Sequence, residues 1–203
     1  PVKVIACERN DPARQSLGRP WDFLRRILYR QADLVTANSR SALETLSGYV
    51  PRAKLKLLPN SVPSAPNTGA ADMPGPMFVA VGRLNHQKGY DILIDALAQL
   101  PHDLDEWNLL ILGDGPLEHG LKELAETLGV ASRIHWAGVQ ADPYPYYRAG
   151  RIFVLASRHE GMPNVVLEAT SVGLATIVTD ACTGVHDIVK DQISGLVVSA
   201  EDS

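Results

Sequence analysis

The feature that most limits what this chain can fold into begins at residue 77. From there on, short and continuously apolar runs alternate with stretches whose apolar residues recur at the helical period. The runs fall at residues 77–81, 108–112, 134–137, 152–156, 176–179 and 195–198. Between the first two, Ile92, Leu93, Ala96, Leu97 and Leu100 share one helical face. Between the next two, Leu117, Leu121, Leu124, Ala125 and Leu128 do the same. Shorter helices are expected near 144–149, 164–172 and 186–189. Strands that are apolar on both sides need both faces covered, and the intervening helices supply the cover, so the pattern predicts an α/β fold with a parallel sheet. Ligands of such sheets bind beyond the carboxyl ends of the strands. The loops after the strands are therefore where chemistry is expected.

The first 60 residues carry a shorter version of the same alternation: strand 2–6, helix 19–32, strand 34–37, helix 39–46 and strand 55–58. The second of these helices has a start signal at Ser41-Ala-Leu-Glu44, which reads as a capping box. Residues 60–76 are rich in Pro, Ser, Gly, Ala and Asn, the composition of a linker or surface loop. The expected division is a first domain over 1–60, a linker over 61–76 and a second domain over 77–203. A net charge of -4 gives no global basic field for nucleic acid. Cys7 and Cys182 stand outside any metal-ligand spacing and read as two buried thiols of a reducing compartment. With no apolar run near the roughly 20 residues of a membrane span and no signal peptide, a cytoplasmic protein is expected. An opening at Pro1 without methionine and a helix-start cluster at 199–203 suggest a piece of a longer polypeptide.

Three loops carry the candidate chemistry. Val81-Gly-Arg-Leu-Asn-His-Gln-Lys-Gly89 sets Arg83 and Lys88 just past a strand end, between glycines that let backbone approach a ligand. Two cations there suit a diphosphate, and a cation about 4 Å from a unit negative charge is worth about 4 kcal/mol at an effective dielectric near 20. In Glu160-Gly-Met-Pro-Asn-Val-Val-Leu-Glu168, Pro163 suits a first helical turn, and the amides of Met162, Pro163's neighbour Asn164, and Val165 form a helix start that favours phosphate. Carboxylates repel phosphate, so Glu160 and Glu168 are expected to accept hydrogen bonds from hydroxyls of a sugar or ribose. Gly113-Asp-Gly-Pro116 misses the dinucleotide fingerprint, because its third glycine, Gly120, comes two positions late. It reads as a tight turn beside the same cleft.

Taken together, these segments, with Thr179-Asp180 and Gly184, resemble the family-4 (group 1) retaining glycosyltransferases of the GT-B fold. That fold pairs two Rossmann-like domains, of which the first is truncated here. The resemblance implies that Arg83 and Lys88 act on the donor's diphosphate, Glu168 binds the nucleotide ribose and Glu160 contacts the transferred sugar. It adds Gly82, Gly161, Met162, Pro163, Asn164 and Val165 to the substrate contacts, and Gly138 and Val139 as a frame for the base. It also implies retention of configuration, no metal and no cofactor beyond a UDP- or GDP-type sugar donor. Partners would be that nucleotide sugar and a carbohydrate or lipid-linked acceptor, in polysaccharide or glycolipid assembly. Where the family's catalytic histidine would follow the first strand, this chain reads Cys7-Glu8-Arg9-Asn10, with Arg9 at that place. Glu8 and Asn10 are then either acceptor-orienting or loop-stabilising.

Other signals stay outside this reading. Asp103-Leu-Asp105 falls at the amino edge of the expected sheet, away from the cleft, and Ser157 has no base partner for a hydrolase triad. The helix at 19–30 has Trp21, Leu24 and Leu28 on one face and Arg19, Arg26 and Arg30 on the other. It reads either as a helix docked on the first domain's sheet or as one lying on anionic lipid at the membrane's inner face. Rival functions on the same architecture are a sugar-nucleotide epimerase, a dinucleotide-dependent oxidoreductase and a nucleotide-binding piece without activity.

Overall fold

The computed structural model describes residues 2–10, 12–13, 17–62, 64–181 and 183–200, with only the backbone at Thr183. The element order is β1 (Ile5–Glu8), α1 (Arg19–Gln31), β2 (Leu34–Ala37), α2 (Arg40–Ser47), β3 (Leu55–Leu57), β4 (Met77–Val81), α3 (Tyr90–Ala98), β5 (Asn108–Leu112) and α4 (Glu118–Thr127). It continues with β6 (Ile134–Gly138), α5 (Tyr144–Ala149), β7 (Ile152–Leu155), α6 (Asn164–Ser171), β8 (Ala175–Thr179), α7 (Thr183–His186) and β9 (Leu196–Val198). The chain divides into two compact units. The first is Pro1–Ser61 with His159–Pro163 and Cys182–Ile188; the second is Val62–Arg158 with Asn164–Ala181 and Val189–Ser203.

The second unit is built on a six-stranded parallel sheet in the order β6-β5-β4-β7-β8-β9. The order reverses between β4 and β7, so successive crossovers run in opposite directions from that line and leave a crevice at the carboxyl ends of these two strands. Leu93, Ile94 and Leu97 of α3 and Leu121 and Ala125 of α4 bury against Ala80, Leu109, Ile111 and Ile134 of the sheet. Alternation along β4 sends Val79 to the other face, where a Cβ on Gly150 would meet Val79 Cγ2 at 2.5 Å; α5 therefore ends directly on that strand. Of the stretch 61–76 expected as a linker, residues 64–76 fall in this unit. Arg148 Nη2 donates to Pro66 O at 2.6 Å and Nη1 to Thr68 Oγ1 at 3.1 Å, while Ala71 N donates to Pro145 O at 2.8 Å. One guanidinium satisfying two acceptors ties the segment along α5.

The first unit has a three-stranded parallel sheet, β1-β2-β3, over a core of Ala32, Val35, Ala37, Ala42, Leu46 and Val50. Strand β1 starts three residues later than expected, because the pairing with β2 runs from Ile5↔Leu34 to Glu8↔Ala37. Helix α2 is capped by Ser39, whose Oγ accepts from Ala42 N at 3.3 Å, and not by Ser41. Position 42, three residues on, is alanine, so no capping box forms. Cys7 is exposed, against the expectation of a buried thiol, because it lies on the edge strand; Cys182 and the end of the 199–203 cluster lie outside the described residues.

Helix α1 overturns a stronger expectation. None of its residues is buried, and Trp21 and Leu28 are 64% and 57% exposed. The face turned inward carries Asp22, Arg25 and Tyr29 instead. Glu8 causes this. Buried at the end of β1, it needs partners, and Arg25 Nη1 at 3.5 Å and the Tyr29 hydroxyl at 3.3 Å provide them. Of the two readings, the docked helix therefore stands, but it docks on the first unit through Arg25 and Tyr29 and not through the Trp21–Leu24–Leu28 face.

Candidate functional site

At the carboxyl end of β4 the chain makes a turn pinned from three sides. A Cβ on Gly113 would meet Gly82 O at 2.0 Å, one on Gly115 would meet Leu84 O at 2.3 Å, and one on Gly89 would meet Ala156 O at 2.0 Å. Only glycine lets the loops after β4, β5 and β7 close to backbone contact, so Gly113-Asp-Gly-Pro116 is a spacer-free clamp, in keeping with the tight turn expected there. Leu84 is fully buried, and its N donates to Asp114 O at 2.7 Å. Arg83, next to this anchor, is exposed. Asn85 caps the following 3-10 turn by accepting from Lys88 N at 3.2 Å. Gly82 leaves room for the stem of Lys88: a Cβ there would meet Lys88 Cε at 3.2 Å. The two cations thus stand on one rigid loop at the topological switch point.

Two residues that the motifs did not single out hold that loop. Arg158, just past β7, donates from Nη1 to Asp91 Oδ1 at 2.8 Å and from Nη2 to Asp91 Oδ2 at 2.7 Å, and Nη1 also reaches His86 O at 2.9 Å. Hydrogen bonding by this guanidinium holds the Asp91 carboxyl below the usual carboxylate range. The fork couples the first turn of α3 to the end of β7 across the crevice line. Neither residue lies at a spacing that betrays the pairing.

Glu168 projects from the second turn of α6, half-buried. Its Oε2 accepts from the hydroxyl of Tyr147 at 2.9 Å. Tyr147 is fully buried, with its ring set edge-on to Tyr144 and Phe153 at 6.0 and 5.9 Å. Burial first, then the neighbouring Glu168 charge, push its pKa far upward, so the phenol stays protonated and donates. Asn164 and Val165 open α6 in this unit, whereas Pro163 precedes the helix rather than standing in its first turn. Val139, after β6, is 67% exposed, and Gly138 has the left-handed backbone φ of 64° that turns the chain there.

Glu160, Gly161, Met162 and Pro163 pack with the first unit instead. A Cβ on Gly161 would meet Arg9 O at 2.2 Å and one on Gly184 would meet Gly161 O at 2.3 Å, so both glycines are required by close backbone approach. Asn60 Nδ2 donates to Met162 O at 3.2 Å. Within this unit the Glu8 carboxylate also accepts from Arg9 N and Asn10 N at 3.1 and 3.2 Å, which makes it the stabiliser of its own loop. Asp105 faces His102 and Arg133 before β5, at the sheet's amino edge. Among the described residues no group of three metal-ligating side chains forms, and no helix is long and apolar enough to cross a membrane.

The family described as "Glycosyl transferases group 1" matches residues 64–203. Among curated proteins, the chain is 30% identical over 194 residues to the lipopolysaccharide core biosynthesis glycosyltransferase LpsE of Rhizobium meliloti, covering 92% of this chain and 56% of that one. It is 31% identical over 187 residues to the N-acetylgalactosamine-N,N'-diacetylbacillosaminyl-diphospho-undecaprenol 4-alpha-N-acetylgalactosaminyltransferase of Campylobacter jejuni, covering 89% of this chain and 50% of that one. The chain thus spans about half the length of these relatives. Among solved structures, Anabaena HepE in complex with UDP and glucose superposes with a TM-score of 0.84 over 98% of this chain and 59% of that one, at 20% identity, a likeness of fold. The α/β architecture with parallel sheets and a Rossmann-like domain is that of the GT-B glycosyltransferases, as the motifs led one to expect. With the family matched over residues 64–203, the chain belongs to the group 1 glycosyl transferases.

Proposed function

We propose that this chain carries the donor side of a transferase that moves a sugar from a UDP- or GDP-type sugar to a carbohydrate or lipid-linked acceptor, with retention, without a metal and without a further cofactor. The carrying observation is the β4 loop: Arg83 and Lys88 on one glycine-clamped turn at the switch point, in the same unit as Glu168. In this reading the two cations, with Gly82, take the diphosphate and stabilise it as it departs, a contribution that typically amounts to about 3 kcal/mol per donor. Asn164 and Val165 would add amides, Glu168 would accept from the ribose hydroxyls, and Val139 would border the base. Glu160, with Gly161, Met162 and Pro163, is assigned to the transferred sugar. That LpsE is named for lipopolysaccharide core biosynthesis and the Campylobacter relative for a diphospho-undecaprenol substrate supports polysaccharide or glycolipid assembly. Nucleic acid has no place in this scheme.

Titration calorimetry of the 203-residue protein with UDP and GDP tests the reading. One of the two is expected to bind, and Lys88→Ala and Glu168→Gln are each expected to weaken that binding about tenfold or more, the worth of a hydrogen bond to a charged group. Unaltered binding in both variants would sink the assignment.

The outward apolar face of α1, flanked by Arg19, Arg26 and Arg30, favours a peripheral membrane contact for the same protein. Co-sedimentation with anionic phospholipid vesicles, and none with neutral ones, is expected; no binding to either rejects the contact.

A further inference from the structure

We infer that Tyr147 is a positioning residue for Glu168, fixing the carboxylate so that its second oxygen meets the vicinal hydroxyls of a nucleotide ribose. The inference rests on the ribose reading of Glu168 given above. Three observations carry it. The Tyr147 hydroxyl donates to Glu168 Oε2 at 2.9 Å, and among the described residues it is the only recorded side-chain partner of that carboxylate. The phenol has no freedom of its own, being fully buried and wedged edge-on against Tyr144 and Phe153. Glu168 itself remains half-buried on α6, between Val166 and Ala169, which are buried against the unit's interior.

A carboxylate has about four acceptor positions. A single donor on Oε2 sets the plane of the group and leaves Oε1 available. A neutral phenol does so without cancelling the negative charge, as an arginine or lysine would, so the full charge is left to strengthen bonds from hydroxyls. Without that tether the side chain would have to be ordered at the moment of binding, at a cost in side-chain entropy. Nothing in this scheme gives Tyr147 contact with the ligand, and nothing asks it to transfer a proton.

The test crosses the variant with the ligand. Wild type, Tyr147→Phe and Glu168→Gln are titrated with UDP and GDP and with the 2',3'-dideoxy forms of each, and folding is checked by circular dichroism. The phenylalanine ring keeps the packing and removes only the hydroxyl. Wild type is expected to prefer the ribonucleotide, and Y147F to narrow that preference about fivefold, the factor of one net hydrogen bond. Its affinity for the dideoxy form should stay unchanged. Equal weakening of both ligands in Y147F would mean a merely structural tyrosine and overturns the proposal. So does a preference abolished in E168Q but intact in Y147F, which leaves the ribose reading standing. A preference that survives in E168Q overturns the ribose reading, and the role of Tyr147 with it.

Discussion

Glu8 and Glu168 each accept a hydrogen bond from a tyrosine hydroxyl, at 3.3 and 2.9 Å, in the first and second units respectively. Beyond that they differ. Glu8 is 8% exposed and its oxygens are committed to Tyr29, Arg25 and two backbone amides. Burial, then the Glu8 charge and hydrogen bond, push the Tyr29 pKa up to about 12. Glu168 sits beside a tyrosine that is more deeply buried, but keeps one edge toward solvent. The lesson is that an acid is committed to structure when the protein supplies all its donors, and keeps acceptor capacity for the ligand proposed above when the protein supplies one.

The comparison can be broken by measurement. The largest effect is expected for Glu8→Ala: the Tyr29 hydroxyl and the Arg9 and Asn10 amides lose their acceptor, and Arg25 keeps, among the described residues, only Asp22, at 3.1 Å, which together cost about 3 kcal/mol in urea unfolding. Glu168→Ala, which among the described residues strands only the buried Tyr147 hydroxyl, should cost less, about 1 kcal/mol; a loss as large as that of Glu8→Ala would erase the distinction drawn between the two acids. The smallest effect concerns Asp91, whose carboxyl is held below its ordinary value of 3.8 by Arg158. Because the folded state holds the charge more tightly, this pair stabilises the fold fully above that ordinary value. The contribution is lost as pH falls through the lower, folded value. Asp91→Asn should lower stability in the neutral region, where the pair contributes fully, and so flatten the acid limb, the variant and wild-type curves converging at low pH. A wild-type curve already flat across that limb would show that the pair adds nothing.

Much of the fold was legible before any coordinates. The strands at 77–81 and 108–112 and the helix at 144–149 stand where periodicity put them, because a strand apolar on both sides has few other homes. The candidate cations were legible for the same reason: a loop after a strand in a parallel sheet is at the ligand edge wherever the sheet lies. The glycine clamp was half legible, since Gly113 and Gly115 announced a turn but not that Gly82 and Leu84 press against it. The pairings Arg158–Asp91 and Tyr147–Glu168 were not legible at all. Their members are separated by 67 and 21 residues, and the contacts form only where β7 and α6 are laid beside α3 and α5.

Helix α1 shows most plainly where sequence stops. Its amphipathic pattern is as clear as that of α3, and the pattern alone says that the apolar face goes inward. In α3 it does, with Leu93, Ile94 and Leu97 in the core. In α1 the face bearing Arg25 and Tyr29 turns in, toward the buried carboxylate at the end of β1, while Trp21 and Leu28 are exposed in this chain. The sequence by itself determined the alternation, the parallel sheet and the loops that bear Arg83, Lys88 and Glu168, since these follow from local period and residue type. Which face of α1 is covered, which serine caps α2 and which partners hold Asp91 and Glu168 were decided by tertiary structure alone, since each depends on groups brought within a few ångströms from distant parts of the chain.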